Sequence, residues 1–229
     1  MLGELDLGSN NIGGTLPSEI GQITKLMMLS LYWNEFTGPL PTELGKLTEL
    51  TILDIDHWQI GHAGYNQFKG TLPTELGRLT RLTELYLDSN SFTGTLPSEL
   101  WQLEDLTVLS VALNYFTGTL PSELGQLTRL TVLGLYLNSF TGTLPSELGQ
   151  LTELSWLYLD SNSFTGTLPS ELGQLTGLAH LHIYSNNFTG IFPSEIANIS
   201  TLTDLCVGDN YFTGSIPQDM ETDYTCDPM

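Results

Sequence analysis

Leucine recurs along this chain in the pattern L-x-x-L-x-L, and the pattern returns every 24 residues. In residues 154–159, Leu157 and Leu159 alternate with Trp156 and Tyr158. This alternation predicts a short strand with one buried face. A fixed period of this length predicts a solenoid of stacked units rather than a globule with one central core. Nine copies of the pattern begin at Leu2, Leu26, Leu50, Leu82, Leu106, Leu130, Leu154, Leu178 and Leu202.

Each unit continues with an asparagine and, two residues later, an aromatic or aliphatic residue. An asparagine side chain both donates and accepts hydrogen bonds, so a column of them can satisfy turn amides that no sheet partner reaches. We predict this ladder for Asn10, Asn34, Asn90, Asn114, Asn138, Asn162, Asn186 and Asn210. We also predict a stacked spine, which is core packing, formed by Phe36, Phe68, Phe92, Phe116, Phe140, Phe164, Phe188 and Phe212.

The second half of the unit reads N-x-F-T-G-T-L-P-S-E-L-G-Q-L-T, as in residues 138–152 and 162–176. It resembles the leucine-rich repeat of the plant-specific subclass, L-x-x-N-x-(L/F)-(S/T)-G-x-(I/L)-P-x-x-(L/I)-G-x-L, over about residues 2–217. The resemblance implies an α/β solenoid, a right-handed superhelix whose L-x-x-L-x-L strands form a concave parallel β-sheet. It also implies a second short sheet on the convex side at G-x-L-P, and 3₁₀ or short helical turns at P-S-E-L-G.

The domain organisation follows from the repeat. We predict a leucine-rich-repeat domain of nine units at 1–217 and a C-terminal cap or tail at 218–229. The spacing from Leu50 to Leu82 is 32 residues, which places an eight-residue insertion near 58–65, with Trp58 where the ladder asparagine should stand. Insertions in repeat proteins map to one face, often the binding face, although a tolerated surface insertion explains the same spacing.

Charge and apolar content exclude several classes of partner. Six basic against 26 acidic residues give a formal charge of −20, which excludes nucleic acid and an anionic membrane. No Lys or Arg follows Arg129, so a protein, peptide or glycan partner of that half should be basic or neutral. No apolar run reaches the length for membrane insertion.

The first unit begins at Leu2 without a capping segment, which favours a piece of a longer chain over pairing of that end with another chain.

The cysteines and two sequons indicate an extracellular protein. In the family that the repeats resemble, a cysteine pair commonly closes the last repeat, and the resemblance therefore implies a disulfide between Cys206 and Cys226. A disulfide requires an oxidising compartment. Asn187 and Asn198 begin N-x-S/T sequons, which predict glycosylation unless they are accidents of the repeat composition.

The outward positions of the strands vary between copies and combine aromatic and acidic residues. Tyr and Trp provide large, rigid contact area at low entropic cost. We therefore predict non-catalytic recognition of a protein, peptide or glycan on the concave face, centred on Tyr86, Tyr136, Trp156 and Tyr158. Family resemblance points the same way, towards receptor ectodomains and secreted inhibitors of wall-degrading enzymes. The predicted ligand-binding residues are Tyr32, Trp33, Asp54, Asp56, His57, Trp58, Tyr86, Asp88, Tyr136, Trp156, Tyr158, Asp160, His180, His182 and Tyr184.

Two alternatives remain open. Threonine pairs in the pattern T-x-T resemble the ice-binding surface of some β-solenoid antifreeze proteins, although Thr also simply favours strands. His180 and His182 face the same way, with Asp204 and Cys206 on the next strand, a set suited to a metal-dependent site. Because no nucleophile, phosphate-loop or zinc motif occurs, we expect no catalytic residue, no cofactor and no metal. The threonine pairs are Thr93/Thr95, Thr117/Thr119, Thr141/Thr143 and Thr165/Thr167.

Overall fold

The structure is a computed structural model that describes residues 2–56 and 66–214. Two compact units make up the chain, Met1–Thr117 and Gly118–Met229. The insertion with His57 and Trp58, the tail 218–229 and Cys226 lie outside the described residues. None of the helices in the described ranges is long and apolar enough to cross a membrane.

Unit 1 contains two parallel sheets that alternate along the chain. The odd-numbered strands form the first sheet. The leucine at the centre of each three-residue strand is in register with the leucine of the next strand, as Leu5 is with Leu29. Even-numbered strands form the second sheet, at the segment F-T-G. The strands are β1 (Glu4–Asp6), β2 (Gly13–Thr15), β3 (Met28–Ser30), β4 (Glu35–Gly38), β5 (Ile52–Asp54), β6 (Gln67–Gly70), β7 (Glu84–Tyr86), β8 (Ser91–Gly94), β9 (Val108–Ser110) and β10 (Tyr115–Gly118), which ends at the unit boundary.

Unit 2 repeats this arrangement with the same division into odd and even strands. Its strands are β11 (Val132–Gly134), β12 (Ser139–Gly142), β13 (Trp156–Tyr158), β14 (Ser163–Gly166), β15 (His180–His182), β16 (Asn187–Gly190), β17 (Asp204–Cys206) and β18 (Tyr211–Phe212). The two predicted kinds of parallel sheet are therefore confirmed.

A proline starts the helical turn of each repeat, as predicted from P-S-E-L-G. Proline suits the start of a helix because its missing N–H would have no partner there. In unit 1 the turns are 3₁₀ helices at Ser18–Gln22, Thr42–Lys46, Thr74–Arg78 and Ser98–Gln102. In unit 2 they are 3₁₀ helices at Ser122–Gln126, Ser146–Gln150 and Ser170–Gln174, followed by the α-helix α1 (Ser194–Ala197).

Leucine and phenylalanine form the core of both units. The central leucines of strands β3 to β15 are fully buried, and Phe68, Phe92, Phe164 and Phe188 are 0 % exposed. Neighbouring rings stack at centroid distances of 5.8 to 6.3 Å within unit 1 and 6.1 to 6.3 Å within unit 2. The predicted aromatic spine is confirmed in each unit.

The asparagine ladder has the predicted chemistry. Asn162 accepts a hydrogen bond from the Phe140 N–H at 2.9 Å and donates to the carbonyl oxygens of Leu135 and Leu159 at 3.0 and 3.1 Å. One side chain therefore satisfies backbone groups of two successive repeats. The same bonds recur around Asn34, Asn90, Asn114 and Asn186.

In the third repeat the ladder position belongs to Asn66, which the predicted ladder did not include. Asn66 is fully buried, accepts from the Phe36 N–H at 3.1 Å and donates to the Leu31 carbonyl oxygen at 2.9 Å. The extra residues are therefore inserted between strand β5 and the ladder asparagine. Asn66 is followed by Phe68 at the spacing found in the other copies.

Candidate functional site

Aromatic side chains gather on the outward face of the first sheet in unit 2. Strands β13 and β15 bury their central leucines, so the residues on either side of each leucine point outward together. The parallel register sets Trp156 beside His180 and Tyr158 beside His182. We call the resulting set the aromatic surface, and its members are Tyr136, Trp156, Tyr158, His180, His182 and Tyr184.

The rings of the aromatic surface contact one another in a continuous series. Tyr158 lies at the centre, with ring centroids 4.7 Å from His182, 6.3 Å from Tyr136 and 6.5 Å from Trp156. Trp156 also meets His180 edge-on at 5.6 Å. The structure therefore brings together all six outward aromatic residues that the sequence proposed for this unit.

The aromatic surface is accessible yet constrained. Trp156 is 45 % exposed, whereas Tyr136, Tyr158, His180, His182 and Tyr184 are half-buried. Neighbouring rings restrict the side-chain rotamers before any ligand arrives. A ligand that packs on these rings therefore costs little additional side-chain entropy.

A histidine–carboxylate cluster lies at one edge of the aromatic surface. One carboxylate oxygen of Asp204, Oδ2, lies 3.1 Å from His180 Nδ1 and 2.8 Å from His182 Nε2. Burial raises the pKa of Asp204, but hydrogen bonds from His182 and His180 outweigh it and hold the pKa below its usual value. Asp204 is absent from the predicted ligand-binding residues. It occupies the position of His180 in the next repeat and pairs with His180 across the first sheet.

Asp160 differs from its predicted role as a free acceptor for a ligand. Asp160 is only 3 % exposed. Burial raises the pKa of this carboxyl, against a hydrogen bond from Tyr184 that lowers it. In turn, burial and then the Asp160 charge raise the pKa of Tyr184 to about 12. Asp160 therefore anchors Tyr184 from beneath and offers little surface of its own.

In unit 1 the predicted site residues form an acidic group around Tyr86. Burial, followed by repulsion from Asp54 and Asp88, raises the pKa of Asp56 to about 8. Burial also raises the pKa of Asp54. The pKa of Asp88 is raised by burial to about 7, although hydrogen bonds from Ser110 and the Ala112 N–H lower it. Burial therefore disfavours the charged form of all three carboxyls. Among the described residues they do not form a converging metal-ligand group.

The described aromatic residues predicted for unit 1, and also Asp88, have mixed surroundings. Tyr86 is half-buried and donates a hydrogen bond to Glu84 Oε2 at 3.1 Å. Tyr32 and Trp33 meet edge-on at a centroid distance of 6.1 Å, and Trp33 has a left-handed φ of 52° because it occupies the turn after β3. Asp88 was predicted to face outward, but it is buried, with 7 % exposure.

The threonine pairs, sequons and cysteines also have defined surroundings. All eight threonines of the T-x-T pairs are exposed, as are Asn187 and Asn198. Cys206 is buried and is not a free thiol. Its predicted partner Cys226 lies outside the described residues, so the disulfide stays a prediction.

The leucine-rich repeat family model matches six segments that together cover more than half of the chain. They are residues 1–23, 25–47, 81–103, 129–151, 153–175 and 177–199. A search of curated proteins gives no match.

Solved structures of plant proteins are similar to the chain. The ectodomain of the Arabidopsis thaliana receptor kinase GASSHO1/SCHENGEN3, in complex with Casparian strip integrity factor 2, is 40 % identical over 94 % of this chain and 25 % of that chain, with a TM-score of 0.87. The Arabidopsis receptor kinase HAESA, in complex with the peptide hormone IDA and the co-receptor SERK1, is 32 % identical over 93 % of this chain and 35 % of that chain, also with a TM-score of 0.87. A plant ice-binding protein shares the fold at 24 % identity, over 94 % of this chain and 67 % of that chain, with a TM-score of 0.80.

Proposed function

Because the chain belongs to the leucine-rich repeat family, we propose that it is a non-catalytic recognition module that acts outside the cell and binds a protein or peptide on its aromatic surface. The continuous contact of six rings around Tyr158 carries this proposal. Large aromatic side chains that are partly exposed and held in place are typical of binding hot spots. A purely solubilising surface would not concentrate them on one face of one sheet.

The charge of the chain selects the ligand. Unit 2 contains Arg129 as its single Lys or Arg, while the whole chain carries a formal charge of −20. Like charges across an interface cost free energy, so an acidic ligand is disfavoured. A neutral or basic peptide segment can pack apolar side chains on Trp156 and Tyr158 while its amino groups meet the surrounding acids. A glycan would use the same rings for stacking and is the second ligand class.

The similar receptor HAESA was solved with a peptide hormone, and this likeness supports a peptide ligand for this chain too. The chain spans a quarter to about a third of the length of the two similar receptor chains. The proposal therefore concerns recognition by the repeats present here and not the activity of a whole receptor.

Selection from a random peptide library against the immobilised chain tests the ligand class, with a glycan array in parallel. We expect enriched peptides that are neutral or basic and contain apolar side chains, and weak or no glycan signal. A counter-selection against Trp156→Ala separates ligands of the aromatic surface from all others. Enrichment of acidic peptides, or of peptides that bind the variant equally well, would contradict the proposal.

Ice binding is a second candidate function, and the exposure of the T-x-T pairs favours it. In unit 2 the strands β12 and β14 pair in parallel and carry Thr141 and Thr165, while Thr143 and Thr167 follow each strand. These four threonines and Thr119 are exposed. The register pairs Thr141 with Ser163, two residues before Thr165, so the threonines form a staggered rank of hydroxyl and methyl groups.

Thermal hysteresis of the purified chain tests this candidate. If the rank binds ice, the wild type depresses the freezing point below the melting point and shapes ice crystals, and Thr143→Tyr abolishes both effects. Thr152→Tyr is the matched control, since Thr152 is exposed but follows the 3₁₀ turn Ser146–Gln150. Absence of hysteresis in the wild type would remove ice binding and leave peptide recognition untouched.

A further inference from the structure

The histidine–carboxylate cluster of unit 2 has the composition of a metal site. Two imidazoles and one carboxylate present His180 Nδ1, His182 Nε2 and Asp204 Oδ2, and these three atoms all lie within 4.8 Å of one another. Among the described residues, no other group of three His, Cys, Asp or Glu side chains converges in this way. We propose that His180, His182 and Asp204 bind a divalent transition-metal ion, with zinc as the ion of best fit.

The separations between the ligand atoms suit such an ion. Tetrahedral zinc, with bonds of about 2.0 to 2.1 Å to nitrogen and oxygen, sets neighbouring ligand atoms about 3.3 Å apart. Here Oδ2 lies 3.1 Å from His180 Nδ1 and 2.8 Å from His182 Nε2. The two nitrogens lie within 4.8 Å of each other, so side-chain rotation can bring the three atoms around one ion without any change in the strands.

The scaffold holds the ligands on rigid elements. His180 and His182 flank the buried Leu181 on β15, and the register pairs His180 with Asp204 on β17. Trp156 and Tyr158 pack against the two imidazoles and limit their rotamers. Ligands fixed on strands and supported by neighbours are preorganised, which favours metal binding over a flexible surface cluster.

The ligand set also selects the ion. Imidazole nitrogens suit zinc, copper and nickel, whereas calcium and magnesium prefer oxygen ligands alone. The Asp204 side chain is 40 % exposed, so an ion can enter from solvent. Three protein ligands leave at least one coordination position of zinc for water or for a donor atom of a bound ligand. The sequence led us to expect no metal, and this proposal differs from that expectation. The proposed metal site does not depend on the proposed peptide recognition.

Isothermal titration of the purified chain with zinc chloride, without any peptide, tests the proposal. We expect one zinc ion per chain at this site and no heat from calcium. Removing an outer-shell partner commonly weakens metal affinity by about 10- to 100-fold, so His182→Ala and Asp204→Asn should each weaken zinc binding at least about tenfold. Asp209→Asn is the matched control because it removes one exposed carboxylate from the same repeat, and it should bind zinc like the wild type.

A second readout locates the ion in case a variant folds poorly. Copper(II) binds nitrogen ligands more tightly than zinc and quenches nearby tryptophan fluorescence. Because the Trp156 ring lies 5.6 Å from that of His180, we expect copper to quench the wild type and Trp156→Phe to lose most of that quenching while still binding zinc. Unchanged zinc affinity in the folded His182→Ala variant, no zinc binding by the wild type, or unchanged quenching in Trp156→Phe would overturn the proposal.

Discussion

At the scale of single residues, Asp88 shows how burial sets a charge state. Its Oδ1 accepts hydrogen bonds from the Ser110 hydroxyl at 2.7 Å and from the Ala112 N–H at 2.6 Å. Burial nevertheless dominates and raises the pKa of Asp88 to about 7. An acid with a higher pKa in the folded state binds a proton on folding, so its stabilising effect is complete below about pH 4 and is lost as the pH rises through about 7.

The variant Asp88→Asn should weaken this pH dependence. Asparagine can keep both hydrogen bonds at its Oδ1 and never becomes charged. One pKa unit corresponds to about 1.4 kcal/mol, so we expect the wild type to lose stability by at least this amount from pH 5 to about pH 8, and the variant to lose less. Thermal unfolding over this pH range measures the difference. Asp209→Asn should keep the wild-type slope, and an equally steep slope in Asp88→Asn would contradict the burial argument.

At the scale of elements, the helical turns of neighbouring repeats stack too closely for a side chain at one position. A Cβ atom placed on Gly149 would lie 2.8 Å from the Glu171 Cβ and closer still to the Glu171 carbonyl oxygen. Overpacking of this kind typically costs about 1–3 kcal/mol. Gly149→Ala should therefore lower the free energy of unfolding by about that amount in urea denaturation.

Gly177→Ala is the matched control for this effect. A Cβ atom at Gly177 would meet its nearest neighbour, the Thr152 carbonyl oxygen, at 3.5 Å, which is ordinary contact. We expect this variant to be as stable as the wild type. Equal loss in both variants would contradict the contact with Glu171 as the cause of the cost.

The elements also show where sequence prediction succeeds. Strands, 3₁₀ turns, the asparagine ladder and the phenylalanine spine were predictable because each repeat imposes the same local pattern many times. The ladder asparagine of the third repeat was left out of the predicted ladder, because counting forward from Leu50 reaches Trp58, where the insertion begins. Counting backward from Phe68 finds Asn66, because the N-x-F spacing is fixed by the backbone.

At the scale of the whole molecule, the sequence could identify candidate outward positions but not their accessibility. The alternation predicted that the side chains of Trp156 and Asp160 both point outward, yet Trp156 is 45 % exposed and Asp160 is 3 % exposed. The difference depends on neighbouring side chains such as Tyr184, which no local pattern specifies. In the same way, the column spacing brings Asp204 beside His180, but convergence of the ligand atoms requires the side-chain rotamers.

The affinity of the aromatic surface for a selected peptide tests the central claim most directly. Isothermal titration should compare the wild type with the double variant Trp156→Ala/Tyr158→Ala and with Tyr211→Ala, which removes a 65 % exposed ring from the second sheet. We predict that the double variant stays folded but binds at least about tenfold more weakly, a loss of about 1.4 kcal/mol, while Tyr211→Ala binds normally. Wild-type affinity in the double variant would contradict recognition on this surface.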